Sequence, residues 1–400
     1  MTDSTTSTLL RNVRAVLPHR VSERTNIFIQ NGLISRVADS DPDEGSGAPA
    51  YERASDSPST FGLEGLTLYP GFIDVHIHGA IGVDTMAADA SDLNRVSGFL
   101  AAQGVTSWLP TLVPAPHADY SQAVIAINGA MNNQIGARIL GVHYEGPFVN
   151  SAQCGALRSE YFKTYAAPDD LDALPLPSGE AARMITLAPE VAGGVELVRE
   201  LSRRGWVVSI GHTRAGFELL DLAFDAGARH MTHFMNAMAP LHHRSPGPIA
   251  WGLSRDDVTC DVIADGIHLD PHMLQLLLKL KGAERLTLIS DAIAAAGQGD
   301  GDYQIWGETI TVKDSRTSNA RGNIAGSVIT MLDAVRLMIS LGVTEVGVAG
   351  IAATNPARLL RLDQECGSIE EGKRADLVAL DAQGNAVLTL IGGEVAFRKQ

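Results

Sequence analysis

Only three of the 400 residues are cysteine, Cys154, Cys260 and Cys366, widely spaced and odd in number. That excludes a disulfide framework and a CxxC metal knuckle, and it fits a reducing, cytoplasmic setting. Basic residues are outnumbered, 31 Lys and Arg against 46 Asp and Glu, for a formal net charge of -15 with no dense basic run. A nucleic-acid partner is thereby excluded, because neutralising phosphates needs clustered cations. Long apolar runs are missing too: none approaches the ~18 residues of a membrane helix. The opening MTDSTTSTLLRNVRAV also has neither the charged n-region nor the apolar h-region of a secretory signal. No membrane partner is expected.

What is present is globular composition, 45% hydrophobic with 19% charged, in a chain longer than the ~250 residues of one barrel. The opening segment alternates like short strands at residues 9–16 and 26–37, with a turn pair at Asn31-Gly32. Residues 39–60 shift to Asp, Ser, Pro and Gly and read as a linker. After Tyr69-Pro70-Gly71 come β-branched runs of strand length at 71–76, 105–111, 139–144, 184–188, 206–210, 230–234, 259–264 and 286–290. Helix-length stretches such as 191–204 and 271–281 separate them, ending near Gly205 and Gly282. Eight such units predict an α/β fold, a (β/α)₈ TIM-like barrel. Helical segments follow at 331–339 and 350–360, the second interrupted by Asn355-Pro356, and then strands at 367–369, 375–380, 387–391 and 394–398. These predict a small β-sandwich domain formed from both chain ends, residues 1–66 and 358–400, with the barrel inserted at 67–357.

Candidate chemistry begins at Asp74-Val75-His76-Ile77-His78, where two imidazoles at i and i+2 of a strand face the same side. Further ionisable groups fall at the same end of other predicted strands: Glu145 after the third, His212 after the fifth, His233 after the sixth and Asp291 after the eighth. Six such groups at one rim are poor core residues, since unpaired buried polar groups are costly, and barrel enzymes build their sites at that face. The pattern predicts a metal site.

The runs Pro70-Gly71-Phe72-Ile73-Asp74-Val75-His76-Ile77-His78-Gly79, His143-Tyr144-Glu145-Gly146-Pro147-Phe148, Gly211-His212-Thr213, Thr232-His233-Phe234-Met235-Asn236-Ala237-Met238, Asp265-Gly266-Ile267-His268 and Ser290-Asp291-Ala292 together resemble the amidohydrolase superfamily. Within it they are most similar to the N-acetylglucosamine-6-phosphate deacetylase family. The likeness runs from about residue 69 to about 380, including Gly367-Ser368-Ile369-Glu370-Glu371-Gly372-Lys373-Arg374-Ala375-Asp376-Leu377-Val378 near the end.

The resemblance implies that Glu145, His212 and His233 hold the principal divalent metal without a carboxylated lysine. His76 and His78 would allow a second metal bridged by Glu145. Zinc is the expected metal, with Fe²⁺, Co²⁺ or Mn²⁺ as alternatives, one or two per subunit. Asp291 is expected as the general base and His268 as a donor to the amide carbonyl. Asn236, Ala237 and Arg244 are expected to hold a substrate phosphate, Arg244 through its planar fork. The implied reaction removes acetyl from N-acetylglucosamine 6-phosphate, with the galactosamine epimer or a cyclic amide as the alternative substrate. The implied assembly is a homodimer. One departure is Leu157, where the family commonly carries a sugar-reading histidine. Nearby Cys154 reads as a small filler, and His242 and His243 as loop histidines.

Overall fold

A computed structural model describes residues 7–39 and 59–399 of the chain. Most of the linker expected at 39–60 therefore lies outside the described residues.

The barrel strands are, in order, Phe72–Ile77, Val105–Leu112, Gly141–Glu145, Ala182–Leu187, Val207–Ile210, His230–Met231, Thr259–Ile263 and Leu286–Ile289. Each pairs in parallel with the next. Phe72–Ile77 and Val105–Leu112 are buried at every position, as strands covered on both faces require. Between strands eight and one the ladder is replaced by single bonds. Asp291 N donates to His76 O at 2.9 Å and His78 N to Ala292 O at 2.8 Å. The buried Asp74 carboxylate accepts from Ser290 Oγ at 2.6 Å, and that side chain bolts the seam.

Helices cover the barrel as their patterning demands. Gly194–Arg203 buries Leu197, Val198 and Leu201 on one face. Pro271–Lys281 starts at Asp270, whose side chain accepts from His272 N, and stops at Gly282. The Asn355-Pro356 pair does not interrupt the late helix. Glu345–Ala349 continues through a π turn at Gly350–Thr354 into Asn355–Leu359. Proline then occupies the first turn of the last segment, where a missing N–H costs little.

The chain ends form one mixed sheet in the order Glu394–Arg398, Ala386–Ile391, Leu377–Leu380, Thr67–Pro70, Ser7–Val16, Val21–Gln30, Leu33–Asp39, with Ser59–Gly62 also on Ser7–Val16. The sandwich expectation thus takes the form of a single continuous ladder, around a core that includes Leu10, Ile27, Leu68, Leu377 and Leu390. Thr67–Pro70, counted with the barrel from the sequence, pairs in this sheet. Asn31 and Gly32, at φ 51° and 78°, make the tight turn between two of its strands.

The strand expected at 367–369 is replaced by a loop. Gly367 has φ 88°, and a Cβ there would lie 2.6 Å from Ala357 Cβ, so the chain is pressed against the late helix. Unanticipated by the sequence is a three-stranded antiparallel insert, Gly301–Ile305, Glu308–Lys313 and Arg316–Ser318, between strand eight and the helix Met331–Ser340. Among the described residues no helix is long and apolar enough to cross a membrane.

Candidate active site and metal centre

Strand geometry delivers the ionisable side chains to one rim. His76 lies near the end of strand one and His78, two residues on and facing the same side, just past it, and Glu145 ends strand three. His212, His233 and Asp291 follow strands five, six and eight with φ of 48°, 30° and 49°. That left-handed conformation is uncommon outside glycine, though His and Asp adopt it more readily than most. It turns each chain back at the strand end.

Two groups of ligand atoms converge. Glu145 Oε1 lies 2.9 Å from His212 Nε2 and 3.0 Å from His233 Nε2, and the two nitrogens are 3.1 Å apart. Asp291 Oδ1 lies 3.4 Å from His76 Nε2 and 3.2 Å from His78 Nε2, themselves 3.2 Å apart. Glu145 joins the groups, with Oε1 3.6 Å from His76 Nε2 and Oε2 3.4 Å from His78 Nε2. His212 Nδ1 is 2.8 Å from the Gln153 carbonyl, which can only accept, so this nitrogen carries the proton and Nε2 turns its lone pair inward. All six side chains are buried. Ring nitrogens converging on carboxylates in this way fit one or two divalent cations of the kind that accept mixed N and O ligands.

Electrostatics within the group say the same. Burial alone would raise the Glu145 carboxyl, but the facing imidazoles of His76, His212 and His233 hold it well below the ordinary range. His233 loses basicity to burial and regains more from Glu145, ending at about 9. His76 is driven well below its usual value by burial, against the pull of Glu145. Protons on His233 thus stand in for the positive charge that the carboxylates demand.

The amidohydrolase family profile matches residues 67–396. The chain belongs to the amidohydrolase family. It is 35% identical over 399 residues to the N-acetylglucosamine-6-phosphate deacetylase of Bacillus subtilis (strain 168), covering 98% of this chain and 97% of that one. It is 37% identical over 331 residues to the N-acetylgalactosamine-6-phosphate deacetylase of Escherichia coli O157:H7, covering 82% and 87%. Among solved structures, a mutant N-acetyl-D-glucosamine-6-phosphate deacetylase from Mycobacterium smegmatis in complex with N-acetyl-D-glucosamine-6-phosphate superposes with a TM-score of 0.85 at 30% identity, over 98% of this chain and 99% of that one.

In this amidohydrolase a cavity of about 260 Å³ opens above the ligand groups, lined also by Asn236, Ala237 and His268. Asp265 Oδ2 accepts a hydrogen bond from His268 Nδ1 at 2.6 Å, orienting the ring. Burial raises the Asp265 carboxyl, yet the His268 side-chain and backbone bonds outweigh it and keep the carboxyl low. Arg244 is exposed and outside the lining of this chain's cavity, with its guanidinium 2.7 Å from His243 Nε2. Its loop, 240–246, runs out over the surface instead of turning into the mouth. Leu157 does line the cavity and packs on Val113 and Val149.

Sequence reasoning passed over the supports. Asp261 Oδ1 accepts the backbone N–H of His233 while Oδ2 meets His230 Nε2 at 3.0 Å. Glu190 receives Asn150 Nδ2, Thr213 Oγ1 and Arg214 N at 2.6 to 2.8 Å and braces the loop behind His212. The available signal was a carboxylate inside or just after an apolar strand run, a place charges avoid unless partnered.

Proposed function

We propose that this amidohydrolase removes the acetyl group of N-acetylglucosamine 6-phosphate, giving glucosamine 6-phosphate and acetate. The observation that carries the reading is the pair of ligand groups sharing Glu145 in a cavity that also holds Asp291, His268 and Asn236. The solved relative with that sugar phosphate bound supports the substrate.

Glu145, His212 and His233 would hold the principal cation, and His76 and His78 a second one beside Asp291. Bound there, divalent ions supply Lewis acidity and a water acidified to a pKa of about 7. Asp291 takes the proton of the attacking water and passes it to the amine nitrogen as the C–N bond breaks. His268, fixed by Asp265, donates to the carbonyl oxygen where negative charge develops. Asn236 and the backbone N–H of Ala237 receive the phosphate. Zinc is the metal we assign, ahead of iron, cobalt and manganese, and three free cysteines support a reducing, cytoplasmic setting for the enzyme.

Exposed Arg244 and its neighbour Leu241 suit a homodimer in which Arg244 completes the phosphate site of a second copy. The galactosamine epimer is the second reading. Leu157 offers the sugar no side-chain hydrogen bond, and an apolar contact separates epimers weakly.

Acetate release from the two epimers, with and without phosphate, tests the substrate, and elemental analysis of native protein tests the metal. Asp291→Asn is expected to lower kcat by about 10²–10⁴-fold with metal content retained. Near-normal turnover by that variant would exclude Asp291 as the base.

A further inference from the structure

The antiparallel insert carries a residue that the reaction above does not use. Ile305 pairs with Glu308, so Trp306 and Gly307 form a two-residue turn at the hairpin tip. Both have positive φ, 54° and 80°. Gly307 suits that conformation, but a bulky indole at the first turn position is a conformational outlier where Asn, Asp or Gly is the economical choice. Outliers of this kind persist where surrounding packing holds them in place. The indole is half-buried, edge-on to His78 with ring centroids 5.1 Å apart, and it packs on the group formed by Val113, Val149 and Leu157. Trp306 lines the catalytic cavity and also a neighbouring cleft of about 640 Å³ reaching Asp84 and Arg158. It is a partition between two spaces.

We infer that Trp306, backed by Leu157, is the specificity wall that limits the length of the acyl group removed. The inference rests on the deacetylase reading, which anchors the phosphate near Asn236 and Ala237, beyond strand six. In a planar amide the acyl carbon chain leaves the carbonyl on the side away from the nitrogen, hence away from the sugar. With the carbonyl at the ligand groups, that direction runs toward strand one, where His78, Trp306 and Leu157 stand. A methyl group is accommodated, and each further methylene meets the indole.

The experiment is a series of N-acetyl, N-propionyl and N-butyryl glucosamine 6-phosphates assayed with wild type, Trp306→Gly and Trp306→Phe. Glycine relaxes the turn and joins the cavity to the cleft, whereas phenylalanine keeps a smaller wall. In the wild type, propionyl is expected to fall about 10–200-fold below acetyl in kcat/KM, the range one methylene commands in an apolar pocket. Trp306→Gly should bring propionyl and butyryl within about 10-fold of acetyl, with Trp306→Phe between. A merely structural role would lower all three substrates together and leave their ratios alone. Unchanged ratios in both variants, each shown folded by circular dichroism, would overturn the wall. If the wild type turned over no member of the series, the deacetylase reading would fall first and take the wall with it.

Discussion

His212, His233 and Asp291 share more than a rim: all three hold left-handed backbone immediately after a strand. Their geometry is set by the local turn as much as by the side chain, so the protein presents a preformed site. In the metal-free protein His233 keeps a proton up to about pH 9. A cation must expel that proton, so metal affinity is expected to rise with pH by up to ten-fold per unit below 9. Calorimetry in buffers of different ionisation enthalpy should register the released proton, and its absence would mean that His233 is already neutral. The stability sign follows: a histidine raised above its ordinary 6.5 stabilises the metal-free fold fully below that value. This contribution is lost as pH rises through about 9.

The rim residues were legible because each stands at or just past the end of a buried strand, where its chemistry is conspicuous. Trp306 was not legible, since tryptophan at the head of a tight turn conceals a hairpin that Asn or Asp would have announced. The placement of Arg244 was not legible either. Side-chain chemistry says what an arginine can bind, whereas loop 240–246 decides where it points.

Among the elements, the barrel and a late helix emerged from the sequence, while the barrel's closing seam and the unbroken passage of that helix through Asn355-Pro356 did not. Asp74 looks from the sequence like the first letter of a histidine motif. In the fold it joins strands one and eight, with Ser290 Oγ, Ser290 N and His76 N all directed at its carboxylate. A second joint ties the late helix to the end sheet: Arg14 bonds both Glu345 oxygens at 2.5 and 2.7 Å, and Tyr69 Oη adds a third contact at 3.2 Å. The Arg14 hydrogen bonds, outweighing burial, hold the Glu345 carboxyl below its ordinary range. Its stabilisation is therefore present above about pH 4.5 and is lost as pH falls through the folded value. Glu345→Gln should destabilise the protein by roughly 1 kcal/mol at neutral pH and by nothing in acid, the small size reflecting a one-third exposed pair. Urea titrations from pH 7 downward should show the loss shrinking as the carboxyl protonates, and an equal loss across the whole range would place the effect in packing.

For the molecule as a whole, the acidic balance excluded a polyanion surface, and the proposed phosphate contacts, Asn236 and Ala237, line a small cavity. Arg244 lies outside that cavity in one chain. Sedimentation should therefore find a species of twice the chain mass, and Arg244→Ala should raise KM for the phosphorylated sugar by about 10-fold or more while leaving the unphosphorylated sugar unaffected. A monomer with full activity would remove the dimer from the mechanism.

The end sheet also sets a timetable for synthesis. Thr67–Pro70 pairs on one side with Ser7–Val16 and on the other with Leu377–Leu380. The second partner leaves the ribosome roughly 300 residues later, about 15–60 s at ordinary elongation rates. For that interval one edge of the strand has no partner from its own chain. Folding of the end sheet is thus complete only after the whole barrel has been made, and the edge must be kept from neighbouring chains until then.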